Sequence, residues 1–317
     1  MVFRYLSIIC ILFFSFTTIA YAEENVDKDE EIKINQFKQI EALTHVPWYY
    51  LAAINQFESN IRKDKAEEKT IHIQIPNELW YGTFLPTPVS PDILEVFNGI
   101  GKDGDGDGIA NPDSELDTLY TLAVYISSYG YTEQDIHTAI WNLYHREQSL
   151  LTIKSIAKLF KTFQKTQLDT NSFPVPKQYN YSYKNTWGDA RGFGGRRIHE
   201  GTDIFADYGT PVLSTTYGVV ELKGWNKYGG WRIGIRDKYN RYHYYAHLNG
   251  FADGLKVGDV VEPGQVVGSV GSTGYGPPGT SGKFPPHLHY GIYKFDGSKE
   301  WSFDPYPHLR TWERESK

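Results

Sequence analysis

The chain has 317 residues, 15% of them aromatic and 22% charged, which excludes a disordered polypeptide. Its formal net charge of -6 excludes a general phosphate-seeking nucleic-acid binder, because no surplus of positive charge draws the backbone in. The only cysteine, Cys10, lies in the N-terminal apolar stretch, so disulfides cannot staple the remainder and a metal there must be held by His, Asp or Glu.

Arg4, the apolar run 6–16 and the Ala20-Tyr21-Ala22 end describe a secretory signal peptide over residues 1–22. The alternative, a retained membrane anchor, is disfavoured because the run is short for a spanning helix. Export to the cell wall, without stable membrane association after cleavage, is therefore expected. The acidic stretch 23–31 reads as a solvated leader.

Residues 32–62 carry Ile34, Phe37, Ile40 and Leu43 at helical spacing, and Pro47 fits the first turn of a second helix. The pattern continues over 114–130 and 133–163, with Leu116, Leu119, Leu122, Ala123 and Ile126 on one stripe. Pro174 and Pro176 mark a change of texture. Beyond them, short β-branched runs separated by Gly and Pro predict strands near 210–213, 218–222, 231–237, 242–246, 266–270 and 288–293. The expected organisation is α+β and multidomain. A helical unit spans 23–165, a linker 166–178, and a mainly antiparallel β unit 179–317.

The β unit carries the sharpest chemistry. His199 and Asp203 flank Gly201, so they are not the two-imidazole pair of a helical zinc motif, yet a loop entering a strand can still converge them. His287-Leu288-His289 on a strand sends both imidazoles to one face. His247 follows the run 242–246. Two imidazoles and a carboxylate around zinc leave a fourth position for water, the pattern of a catalytic site. Taken singly, each of these histidines is as readily a core or surface residue.

Together the pieces resemble the lysostaphin-type zinc endopeptidases of family M23, which cut peptidoglycan peptides. The matching segments are His199-Glu200-Gly201-Thr202-Asp203, Tyr245-Ala246-His247-Leu248, Gly258-Asp259-Val260-Val261 and Pro286-His287-Leu288-His289-Tyr290. The resemblance implies zinc on His199, Asp203 and His289, with His247 and His287 as the catalytic pair outside the ligand set. It also implies peptidoglycan as the partner. Trp187-Gly188-Asp189-Ala190-Arg191 and the Gly/Pro loop 274–286 resemble the subgroup containing a sporulation L-Ala–D-Glu peptidase. Arg191 and Arg197 are candidates to pair with stem-peptide carboxylates, or are solvated charges. A monomer is expected. A wall-binding protein without activity is the rival class; the full ligand set argues against it.

The N-terminal half resembles lytic transglycosylases of lysozyme-like fold. Phe57-Glu58-Ser59 ends a helix, as does the catalytic Glu-Ser there, so the resemblance makes Glu58 a candidate acid. Gly82-Thr83-Phe84-Leu85-Pro86 lacks the glutamine of the corresponding family segment, which favours a glycan-gripping module over a second hydrolase. Asp103, Asp105 and Asp107 alternate with glycine as in a calcium loop, but position twelve is Ser114 instead of the bidentate Glu, and Asp117 could substitute from farther away.

Overall fold

The computed structural model describes residues 28, 30–62, 69–192 and 196–316. The signal segment 1–22 lies outside them. None of the described helices is long and apolar enough to cross a membrane.

The first half is helical. Helix α1 covers 30–44, α2 Trp48–Ile61, α3 Asn77–Trp80, α4 Pro91–Val96, α5 Glu115–Ser127, α6 Glu133–Tyr144 and α7 Glu147–Phe163. Pro47 sits just before α2 instead of inside its first turn. Helix α2 is buried nearly all round, with Leu51, Ile54 and Phe57 fully enclosed, so it forms the centre of this unit. The single helical pattern expected over 133–163 is two helices. His145 adopts φ 48° and closes α6 through its N–H on the Trp141 carbonyl. The Thr132–Asp135 capping box fixes the other end of α6. Leu116, expected on the α5 stripe, is exposed, whereas Leu119, Leu122, Ala123 and Ile126 are buried.

Among the described residues, the second half forms a sheet of ten strands with path β1-β4-β11-β8-β7-β6-β9. Its members are β1 Tyr181–Tyr183, β4 Thr202–Ala206, β5 Pro211–Leu213, β6 Gly218–Asn226, β7 Gly230–Arg236, β8 Arg241–Phe251, β9 Val260–Val261, β10 Val266–Val270, β11 His287–Phe295 and β12 Glu300–Phe303. Strands β5, β10 and β12 join off the main path, and a separate ribbon pairs β2 Ala190–Arg191 with β3 Arg197–Ile198. Every pairing is antiparallel. Helix α8, Tyr306–Glu315, was not expected from the sequence. It sets Leu309 and Trp312 into the β core.

The stretch 166–178 is packed, not a loose tether. Leu168 belongs to the helical core, and Phe173 and Val175 to the β core. The end of the acidic leader is also engaged. Glu30 accepts hydrogen bonds from the backbone N–H groups of Thr166 and Gln167 at 2.5 and 2.6 Å. The two units meet directly: Phe57 packs against Phe295 at 6.3 Å between ring centres, and Asn60 donates to Lys238 O and Asn240 Oδ1 at 2.7 and 2.9 Å.

Candidate active site and metal centre

Strand register builds the site. β11 lies between β4 and β8, and His289 stands directly opposite Asp203 on one side and Ala246 on the other. Cross-strand neighbours of this kind hold their Cβ atoms within about 5.5 Å. His289 Nδ1 lies 3.0 Å from Asp203 Oδ1, and His199 Nε2 lies 2.9 Å from His289 Nδ1 and 3.1 Å from Asp203 Oδ1. Three donor atoms thus form a tight triangle. A Cβ at position 201 would stand 2.7 Å from the His289 ring, so glycine is required between the two ligands of this segment.

His199 Nδ1 donates to the Thr186 carbonyl at 2.7 Å, which leaves its Nε2 lone pair for the triangle. Burial pushes the Asp203 carboxyl up, but hydrogen bonds and charge from His199 and His289 outweigh it and hold the group far below the usual carboxylate range. An ionised carboxylate and two imidazole nitrogens, converging within 4.8 Å, are the donor set zinc takes. The residues present therefore fit the ion.

His247 owes its direction to a bulge. Between Trp231↔Leu248 and Ile233↔Tyr245, β8 carries one residue more than β7, and within it His247 adopts φ 61°. Ala246 and His247, though consecutive, consequently both face the groove. The strand continues through His247 to Phe251 instead of ending before it. His247 Nδ1 donates to Thr273 O at 2.7 Å, and His287 Nδ1 donates to Pro285 O at 2.8 Å. Each ring so fixed keeps Nε2 unprotonated in its neutral form. His287 Nε2 is 4.0 Å from Asp203 Oδ1, and the His247 and His287 rings are 4.7 Å apart. Burial, reinforced by the charges of His287 and His289, pushes His247 down to about 3. Tyr275, from the Gly/Pro loop, stacks on His247 at 5.6 Å.

All five expected residues line one groove of about 450 Å³. Arg197 lines it as well. Arg191, a candidate either for a substrate carboxylate or for a solvated charge, donates from Nη2 to Asp203 Oδ2 at 2.6 Å. His243, a further buried imidazole of β8, points away from the groove into a network with Asp237, Thr215 and Tyr290. Arg232 and Tyr244 also line the groove and were not singled out from the sequence. Their only sequence signal was alternation on β7 and β8.

The N-terminal candidates fall elsewhere. Glu58 lines a separate groove of about 680 Å³ in the helical unit, and Tyr144 donates to its Oε1 at 2.5 Å. Burial pushes the Glu58 carboxyl up to about 7 against the pull of Tyr144 and Arg62. In the Asp-Gly loop, ligand oxygens of Asp103, Asp105 and Asp117 come together, whereas Asp107 turns to the Ile109 N–H at 2.8 Å. Backbone amides engage the cluster: Asp103 accepts from Gly106 and Gly108, and Asp117 from Gly104 and Asn111, at 2.6–2.8 Å.

The family model Peptidase M23 matches residues 197–305, the segment holding all five groove residues named above. The L-Ala--D-Glu endopeptidase of Bacillus subtilis is 56% identical over 315 residues, covering 98% of this chain and 97% of that protein. The chain belongs to peptidase family M23. The peptidase is also 37% identical to lysostaphin of Staphylococcus simulans over 117 residues, 36% of this chain and 22% of lysostaphin. The crystal structure of the catalytic domain of that lysostaphin is 33% identical, matching 42% of this chain and 92% of the domain with a TM-score of 0.33. The peptidase is thus an endopeptidase of a family whose members act on peptidoglycan.

Proposed function

We propose that the peptidase is exported by its first 22 residues and hydrolyses the L-Ala–D-Glu amide of peptidoglycan stem peptides in the cell wall, with zinc held by His199, Asp203 and His289. The observation that carries the chemistry is the triangle of His199 Nε2, Asp203 Oδ1 and His289 Nδ1, all within 3.1 Å of one another on the groove floor. The choice of bond is supported by the near full-length likeness to the Bacillus subtilis enzyme of that name. When bound, zinc supplies a Lewis acid that polarises a carbonyl and acidifies water.

The chain's own groups supply the rest. His287 and His247, tied at Nδ1 to backbone carbonyls, offer Nε2 to take a proton from the attacking water and return it to the leaving amine. A ring protonated at Nε2 then also faces charge developing on the scissile oxygen. Arg191, on the outer oxygen of Asp203, keeps that carboxylate turned towards the two imidazoles.

The helical unit supports a second role. A carboxyl held protonated near neutral pH, in an open groove, is the state a general acid needs, and Glu58 fits it. We read this unit as a glycan-gripping module of the lysozyme-like kind that positions the peptidase on the wall as a monomer. Glycan cleavage by Glu58 is the variant of that reading that releases anhydro-sugar ends.

Digestion of purified peptidoglycan tests both. The expected new N-terminus is D-Glu, and a chelator abolishes its appearance. A new amine on diaminopimelate, D-Ala or glycine refutes the bond assignment. Anhydro-sugar products that vanish with Glu58→Gln decide between gripping and cutting.

A further inference from the structure

Among the described residues, three arginines line the active-site groove: Arg191, Arg197 and Arg232. Arg191 is taken up by Asp203. The acids of the groove are taken up too. Glu300 pairs with Arg236 at 2.6 Å, and Glu200 accepts from the Tyr293 hydroxyl at 3.2 Å. Arg232 has no carboxylate within ion-pairing distance among the described residues. Its Nε is buried there without a hydrogen-bond acceptor. A buried donor on a guanidinium is costly to leave unmet, so this geometry suits a ligand that supplies an anion.

The surroundings leave room for one. Arg232 lies opposite Gly224 in the β6–β7 register, and a side chain at 224 would meet open space. The guanidinium rests on the Tyr244 ring at 5.9 Å, and the same ring meets His289 edge-on at 5.9 Å. Arg232 is therefore held against Tyr244 through its ring and a hydrogen bond, one aromatic ring away from a metal ligand.

Given the L-Ala–D-Glu reading above, on which this rests, the substrate offers a matching group. Whichever carboxyl of D-Glu continues the peptide, the other stays free beside the cut. We propose that Arg232 is a specificity residue that binds this free carboxylate and seats the scissile amide over the metal triangle. A guanidinium can meet it through two parallel N–H donors, which a neutral amide in the same place cannot match.

The test compares two stem peptides that differ only at this group, the free acid and its primary amide, with the full-length zinc-loaded enzyme. A charge-assisted hydrogen bond lost is worth about 10- to 100-fold. The wild type is expected to favour the acid by about that factor in kcat/KM. Arg232→Gln is expected to bring the acid-to-amide ratio close to one, and Arg232→Lys to restore part of it. Because the ratio is taken within one preparation, it does not depend on how much of a variant folds. Titration calorimetry of the metal-stripped protein should show the same preference in binding. A wild type that cuts at D-Glu with a ratio that Arg232→Gln leaves unchanged overturns the role of Arg232 alone. A wild type that leaves the L-Ala–D-Glu bond of both peptides intact overturns the bond assignment and this proposal with it.

Discussion

Replacing Glu58 by Gln tests whether the helical groove holds a neutral carboxyl. The folded protein lifts this carboxyl from 4.5 to about 7, chiefly through burial. A group whose pKa is raised on folding binds its proton more tightly in the native state. Its contribution is therefore intact below about pH 4.5 and is lost as pH rises through about 7. The displacement corresponds to about 3 kcal/mol of folding free energy. Glutamine keeps the shape and an oxygen for the Tyr144 hydroxyl, but never ionises. Urea unfolding of wild type and variant at several pH values from 4.5 to 8 should show the wild type weakening relative to Glu58→Gln by up to about 3 kcal/mol across that window. Taking the difference removes every other titrating group. Parallel curves would mean that Glu58 is ionised in the folded state, and the general-acid reading of the helical groove would fall with it.

Other outcomes follow from the same geometry. His289→Ala or Asp203→Ala should abolish hydrolysis and strip zinc, measured by metal content after gel filtration, whereas His247→Ala should keep the metal and lose about 100- to 10,000-fold in kcat. Metal loss in the His247 variant would place that ring among the ligands. Arg191→Ala frees the outer oxygen of Asp203 and should weaken zinc affinity by about 10- to 100-fold in competition with a chromophoric chelator; unchanged affinity refutes a positioning role. Phe57, fully buried between Tyr144 and Phe295, seats the end of β11 in the helical core. Phe57→Ala should cost about 3–5 kcal/mol and lower the unfolding midpoint of both units together. A peptidase half that melts unchanged would show that the units are energetically separate.

Much of the chemistry was legible in the residue order because its signals are local. The H-x-H spacing on a strand, the His199–Gly201–Asp203 segment and the family segments around them marked the five groove residues. Alternation and β-branched runs marked most of the central strands. The signals failed where the deciding partner is distant in sequence. Helix α8 has only Leu309 and Trp312 to announce it, and both gain their burial from strands far earlier in the chain. In the acidic cluster the loop spacing favoured Asp107, whereas Asp117, named only as a substitute from farther away, is the residue that α5 brings to Asp103 and Asp105.

Residue type and spacing determined by themselves which groups could bind a metal and that they lie in a β unit. Tertiary structure alone decided their partners. Antiparallel register puts His289 opposite Asp203, a bulge turns His247 into the groove, and Asp203 captures Arg191 while Arg232 keeps a buried Nε without an acceptor. The reason is physical. A side chain's chemistry is written in one residue, but its electrostatic surroundings are set by strands that meet only when the sheet closes.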